Sequence, residues 1–307
     1  MKIGVIGAGA VGAACIMSVI GRGAAHEIVV IDRDEGRATG LVTDMQYGMQ
    51  LGLPARLVAG GYDDLAGAEL ILVTAGINEK AGGAMDRNDP AGRLRLLGTN
   101  ADIIREVVSR TVAVVPGALI LVVANPPEPL AELARRVAGH DRVLSAGTFL
   151  DTLRFRFHIA ARLDVHPSVV QAQVIGEHGN SRVLLWSSAQ VANTPLTELI
   201  PADEAASFRA QVEEQVRNAN ITIIEGIGAS QYGVGMACAR VAEAMMRDEH
   251  AVFPLGHHLP EYGVTLSMPV VIGRAGVLRV LRPPLSESEH AALGRSAETL
   301  RTAIAGL

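Results

Sequence analysis

Aromatic side chains are scarce: five Phe, four Tyr and one Trp make up 3% of 307 residues, so the core has to be packed from Val, Leu, Ile and Ala. Cysteine is scarcer. Cys15 and Cys238 both fall in helix-like stretches, and neither stands in a C-x-x-C or other metal-ligand spacing. They read as buried thiols in a reducing compartment, and no metal site is expected. Long apolar runs are missing too. None approaches the length of a membrane span, and no signal peptide precedes the first strand at Lys2. Positive charge is not in excess: a net charge of -5 argues against nucleic acid or an anionic membrane as partner, while leaving local arginines for small anionic substrates. A cytoplasmic protein follows from these absences. What remains is 49% apolar and 19% charged, globular rather than disordered, and long enough for two domains.

Residues 2–7 form a short apolar strand that runs into Gly7-Ala8-Gly9-Ala10-Val11-Gly12, a G-x-G-x-x-G ahead of a small-residue helix. Gly7 permits a tight turn, Gly9 lets the backbone approach a pyrophosphate, and Gly12 lets the helix pack closely on the strand. The amides of the helix's first turn suit phosphate oxygens. A second strand ends at Asp32, twenty residues beyond Gly12. A carboxylate there accepts hydrogen bonds from a ribose hydroxyl and repels a 2′-phosphate, which favours NAD over NADP; Arg33 beside it is the contrary sign. The plainer alternative is that Asp32 only caps the next helix. Further strands are expected near residues 56–59, 69–76, 118–124 and 142–145. Strands apolar throughout and alternating with helices mean a parallel sheet covered on both faces, a Rossmann-type doubly wound α/β fold over residues 1–147. Ligands bind at the carboxyl ends of such strands, and three of these ends carry Thr74-Ala75-Gly76, Asn125-Pro126-Pro127 and Ser145-Ala146-Gly147.

Residues 77–92 are polar, glycine-rich and long for a connection between strand and helix. They read as a lid that closes over a ligand, a disordered insertion being the alternative. Arg93 stands at the lid edge. Residues 148–157 read as a substantially buried helix on which Asp151 and Arg154, three apart, share a face. Residues 169–175 read as a buried strand that runs into Gly176-Glu177-His178-Gly179. Taken alone, His178 is more often a structural histidine in a Gly-rich turn. Its company reverses this: Asp151 facing the ring would fix its tautomer, and the Arg154 fork suits a carboxylate. Helices over 202–226 and 233–246 and antiparallel strands over 251–255, 262–271 and 276–281 make residues 148–307 an α+β substrate and catalytic domain.

These pieces, in this order and spacing, resemble the L-lactate/malate dehydrogenase family over nearly the whole chain, closest to the bacterial L-lactate type. The matching pieces are Gly7–Gly12 with Asp32, Val73-Thr74-Ala75-Gly76, Arg93 ahead of a Leu-rich helix, Asn125-Pro126, Asp151-x-x-Arg154 and Gly176-Glu177-His178-Gly179. The run from Ile224 to Ser230 resembles the family's later substrate-pocket helix, and the tail from Ser286 its C-terminal helix. The resemblance implies hydride transfer between nicotinamide and C2 of a small 2-oxo or 2-hydroxy acid. In that picture His178 moves the proton, Asp151 orients it, Arg154 clamps the carboxylate, Arg93 polarises the carbonyl, and Asn125 and Ser230 complete the substrate pocket. Gly7, Gly9, Val11, Gly12, Asp32, Thr74, Ala75, Gly76, Asn100 and Asn125 hold NAD. A homodimer or homotetramer is likewise implied.

Three departures matter. Asn180 stands where the family has aspartate, which removes a charge that would support a protonated His178. Pro127-Glu128 replaces Val-Asp. The lid is longer than usual, so its register is open. Counting back from Arg93 puts Arg87 at the substrate-selecting position, as in malate dehydrogenases; counting forward from Gly76 puts Glu79 there, in Glu79-Lys80-Ala81-Gly82, which resembles the lactate-type Gln-Lys-Pro-Gly. The longer match favours Glu79 and a monocarboxylate such as pyruvate over oxaloacetate. Two readings from other classes are an NAD-dependent glycosidase, disfavoured because neither cysteine has a histidine at a metal-holding spacing, and a non-catalytic nucleotide-binding protein that kept the fold.

Overall fold

A computed structural model describes residues 1–307 apart from Leu53 and Pro90. Six parallel strands carry the first half: β1 (Lys2–Ile6), β2 (Glu27–Ile31), β3 (Arg56–Ala59), β4 (Leu70–Val73), β5 (Leu119–Val122) and β6 (Val143–Ser145), adjoining in the order β6-β5-β4-β1-β2-β3. β4 and β5 are both Leu-Ile-Leu-Val and buried at every position. Such strands need cover on both faces, because they have no polar side to give to water. The connecting helices α1 (Ala10–Arg22), α2 (Glu35–Met49), α3 (Leu97–Val114) and α4 (Pro127–Ala138) supply it, with α1 and α2 in one apolar layer and α3 and α4 in the other.

The second half opens with α5 (Phe149–Leu163). Five two-residue strands follow: β7 (Val170–Gln171), β8 (Val174–Ile175), β9 (Val183–Leu184), β10 (Gln190–Val191) and β11 (Thr194–Pro195). Then come α6 (Leu196–Leu199), α7 (Ala202–Ile227), α8 (Tyr232–Met246), β12 (Ala251–Leu259), β13 (Val264–Gly273), β14 (Gly276–Val280) and α9 (Glu287–Ala305). The antiparallel strands do not stand apart from the parallel sheet. β12 pairs with β6 through Gly256 and Ser145, joining both halves in one sheet of nine strands among the described residues. α8 packs on α1 at a glycine: a Cβ on Gly235 would meet the Ala14 backbone at 2.6 Å. Cys15 and Cys238 lie buried across that contact, both free, and the hydrogen bond to the Cys238 thiol, with burial, raises the Cys15 pKa.

One expected element is corrected. Residues 169–175 are not a single strand. Val169 closes a 3-10 turn, β7 pairs with β10, and β8 pairs with β9. The break has a local cause in α5, whose hydroxyls take the backbone of Val174. Its N–H donates to Thr152 Oγ1 at 2.9 Å, and its C=O accepts from Thr148 Oγ1. Both backbone groups of Val174 are thus spent on the edge facing α5, and β8 pairs on its other edge, with β9.

The tightest turn lies between β1 and α1. Gly7 sits at φ 111°, and a Cβ on Gly12 would fall 1.9 Å from Gly7 O. Gly12→Ala should destabilise the fold by about 1–3 kcal/mol through overpacking. Gly21→Ala on the same helix meets nothing within 4 Å and should stabilise by about 0.5–1 kcal/mol. Denaturant midpoints of the two variants moving in the same direction would contradict this account of the turn.

Candidate active site

The strand ends open onto two joined clefts. Gly7, Gly9, Asp32, Thr74, Ala75 and Gly76 line the first. Gly9 is the N-cap of α1 with no side chain on it, and a Cβ there would meet nothing within 4 Å. The space above the helix's first amides is therefore open, as a pyrophosphate requires. Thr74 Oγ1 donates to Gly7 O at 2.8 Å and locks the turn. Asp32 accepts from Ala8 N at 2.7 Å and Asp34 N at 3.0 Å, and Asp34 is the residue that caps α2. Asp32 is thus held at the cleft mouth with the loop wrapped around it. This cleft fits a dinucleotide whose ribose meets a carboxylate.

The second cleft is lined by Val11, Glu79, Arg93, Asn125, Arg154, His178 and Ser230 among others. α5 and the loop after β8 build its chemistry. His178 Nδ1 lies 2.5 Å from Asp151 Oδ2. Asp151 is 0% exposed. An ionised carboxylate only accepts, so Nδ1 carries the proton and Nε2 is left for the cleft. Burial alone would push the Asp151 carboxyl up, but Arg182, His178 and Arg154 outweigh it and hold it well below the usual range. His178 is lowered to about 4: burial leads, Asp151 opposes, and Arg93 and Arg182 add to the lowering. The imidazole of this state is therefore neutral near pH 7. Behind it, Glu128 on α4 is fully buried, accepts from His178 N at 3.1 Å and from Ser267 Oγ at 2.8 Å, and is raised by burial to about 7. The substitution of Val-Asp by Pro127-Glu128 thus keeps a carboxyl under the histidine backbone.

The loop over residues 77–92 lies closed, with Pro90 outside the described residues. Glu79 is buried, accepts from Asn125 Nδ2 at 2.9 Å, and stands 3.5 Å from Arg93 Nε. Arg93 Nη1 reaches His178 O at 3.4 Å, and its Nε has no hydrogen-bond partner. Arg87 points elsewhere: it pairs with Glu225 and touches Thr222 Oγ1 at 3.4 Å, both on the flank of α7. Of the two registers open in the sequence, the one with Glu79 in the cleft is realised. Asn180 has a role that its sequence position does not reveal. Its Nδ2 donates to Asp89 O at 3.1 Å, and Gly92 (φ 49°) lies so close that a Cβ there would sit 3.1 Å from that nitrogen. An aspartate would present an acceptor to that carbonyl; the asparagine ties the lid to the histidine loop.

Most of the expected residues converge on the clefts, but Arg87 and Asn100 do not line them. Arg87 is outside the cleft because Glu225 holds it. Asn100 is 0% exposed and spends its amide on backbone, accepting from Ile77 N at 2.7 Å and donating to Ile77 O at 3.2 Å and Asn125 O at 2.7 Å. It clamps the exits of β4 and β5 rather than facing a ligand. Gly12 acts through packing. Two buried groups were missed in the sequence: Glu128, seen there only as a departure, and Arg182, whose side chain is 5% exposed beside Asp151. The only signal for Arg182 was a cation close behind His178 and ahead of an apolar run.

Comparison with known proteins places this geometry. A family model described as the lactate/malate dehydrogenase NAD binding domain matches residues 1–144, and its alpha/beta C-terminal domain matches residues 148–306. The chain is 41% identical to the L-lactate dehydrogenase of Deinococcus radiodurans, covering 98% of this chain and 97% of that one. It is 38% identical to the L-lactate dehydrogenase of Thermus aquaticus, covering 100% and 99%. Among solved structures it is similar to the ligand-bound minor L-lactate dehydrogenase of Enterococcus mundtii, with TM-score 0.91 and 31% identity over 100% of this chain and 98% of that one.

Asn180→Asp should loosen the lid, because one donor is exchanged for a repelled acceptor at a cost of about 1–3 kcal/mol. Limited proteolysis within residues 77–92 should be faster than in the parent, and equal rates would refute the latch.

Proposed function

This chain belongs to the lactate/malate dehydrogenase family, and from that membership and the cleft we propose that it is an NAD-dependent L-lactate dehydrogenase, reducing pyruvate to L-lactate. The observation that carries the choice of substrate is the charge lining the cleft. Two cations, Arg93 and Arg154, face one anion, Glu79. A single carboxylate balances them. The second carboxylate of oxaloacetate would meet Glu79 unpaired, which is costly in a closed site. The malate reading needs Arg87 in the cleft, and Glu225 holds it outside.

NAD(H), when bound, supplies the hydride. Gly7, Gly9, Val11 and Gly12 would hold its pyrophosphate turn, Asp32 its ribose, and Thr74, Ala75, Gly76 and Asn125 the path toward the substrate, with Asn100 bracing these segments; residues 1–147 are the NAD-binding domain and residues 148–307 the substrate and catalytic domain, with Glu79, Arg93 and Asn125 reaching the substrate from the first. The carboxylate of Asp32 favours NAD over NADP. The chain's own groups do the rest. Arg154 grips the substrate carboxylate through its planar fork. The Nε–H of Arg93, which has no hydrogen-bond partner, and the Asn125 amide suit the ketone oxygen, where negative charge develops. His178 Nε2 gives that oxygen a proton in reduction and takes it back in oxidation, with Asp151 holding the ring and stabilising its charged form. Ser230 lies in the wall of the pocket, and the closed loop excludes water.

No helix among the described residues is long and apolar enough to cross a membrane, and we assign the enzyme to the cytoplasm. Exposed apolar side chains recur on three packed helices, Met17 on α1, Phe157 on α5, and Tyr232 and Met236 on α8. They support a homodimer or homotetramer.

Loss of NADH absorbance should be fastest with pyruvate or a close monocarboxylic 2-oxo acid. A tenfold higher kcat/KM for oxaloacetate, about 1.4 kcal/mol, would reverse the assignment. His178→Asn should lower kcat by about 10²–10⁴ with the fold intact; an unchanged rate would remove the histidine from the chemistry. The pH behaviour has a definite sign. The imidazole is held low, with Arg93 and Arg182 opposing its charging, and a substrate carboxylate brought beside the ring offsets those cations, so binding raises its pKa. Oxamate, a non-reducible 2-oxo acid analogue, should therefore bind with uptake of about one proton near pH 7 when NADH is present. Calorimetry in buffers of different ionisation enthalpy reads this directly, and proton release would contradict it.

A further inference from the structure

Asp151 has one more cationic partner than the proposed chemistry uses. Its Oδ2 serves His178; its Oδ1 accepts from Arg154 Nη1 at 3.2 Å and from Arg182 Nη1 at 3.4 Å. The two arginines differ in what else they can reach. Arg154 lines the cleft and can turn toward a reactant, whereas Arg182 does not line it. Arg182 is anchored instead: Nε donates to Gly179 O at 2.7 Å in the histidine loop, and Nη1 donates to Val216 O at 2.8 Å on α7. Its side chain is buried, and its Nη2 has no hydrogen-bond partner. A buried guanidinium that touches no reactant is costly unless its charge has a task.

We propose that Arg182 is a positioning residue, a fixed counter-ion that keeps Asp151 compensated when Arg154 turns to the substrate carboxylate and that holds a second positive charge against the His178 ring. The inference rests on the reading of His178 as the acid–base group. Without Arg182, each substrate molecule would have to draw Arg154 from a buried carboxylate left with the His178 ring as its only close side-chain partner. With it, Oδ1 keeps a donor throughout. The groups that face this pair come from every neighbouring element: Asp151 and Arg154 from α5, Arg93 from the turn before α3, Glu79 from the loop after β4, Glu128 from α4, and Glu177 in the same loop. α7 faces it with a backbone carbonyl. Removing Arg182 takes one cation from that set, so the histidine should hold its proton to higher pH.

The test is a titration of the His178 ring by NMR in the full-length protein, with the signal assigned by its loss in His178→Asn. Arg182→Gln should move the midpoint up by about half a pH unit or more, while Arg182→Lys, which keeps the charge, should titrate as the parent does. KM for pyruvate should rise in Arg182→Gln by a larger factor than kcat falls, because Arg154 stays drawn to Asp151. Arg182→Met carries the same test should the glutamine variant not fold. A midpoint unmoved in the neutral variants, or moved as far in Arg182→Lys, would overturn the proposal, since a packing role alone would not follow the charge. If the parent reduces no 2-oxo acid while the midpoint still shifts, the functional reading fails and the counter-ion role stands.

Discussion

The carboxylate of Asp151 is the point on which the cleft turns. It lies without exposure to water, and a charge in that position survives only if its partners surround it. The partners are an imidazole on one oxygen and two guanidinia on the other. α5 brings Asp151 and Arg154 together on one face, one turn apart. The loop after β8 brings His178 and Arg182 from the opposite side. The proposed acid–base group and the proposed anion clamp are therefore not independent devices. Both are oriented by the same buried charge, and to disturb one is to disturb the other.

Around this centre the structure spends hydrogen bonds on position rather than on contact with a ligand. Glu128 holds the backbone of His178 from below, and Ser296 of α9 accepts from Glu177 N at 2.8 Å beside it. Asn100 joins the ends of β4 and β5, so the two strand exits that border both clefts move as one. Thr148 and Thr152 interrupt the strand before the histidine and fasten it to the helix that carries Asp151. Each is a polar side chain satisfied on backbone inside an apolar surround, where a hydrogen bond is strong and its loss is expensive.

The loop over residues 77–92 carries the residues proposed to select the substrate. Its closed position is held at two places, at Asn180 and at the pair of Arg87 with Glu225, and closure is what carries Glu79 and Arg93 into the cleft. The exchange of aspartate for asparagine after His178-Gly179 fits the lengthened loop: a carbonyl arrives there that only a donor can receive. The same exchange looks, in the sequence alone, like a loss of electrostatic support for the histidine.

Periodicity and spacing sufficed for the elements whose causes are local. Apolar tetrads, a glycine turn before a small-residue helix, an acid at a strand end and a carboxylate and arginine on one helical face are properties of short stretches, and the parallel sheet follows from them. Membership of the family followed from the order of these stretches. What needed the tertiary structure was every question whose answer lies across a gap in the chain. Which of Glu79 and Arg87 enters the cleft depends on Glu225, well over a hundred residues away. The division of residues 169–175 depends on two hydroxyls of α5, and the burial of Arg182 depends on the Val216 carbonyl and the Asp151 carboxylate. A charged side chain carries the same letter whether it faces water or another charge, and only the packed chain decides which.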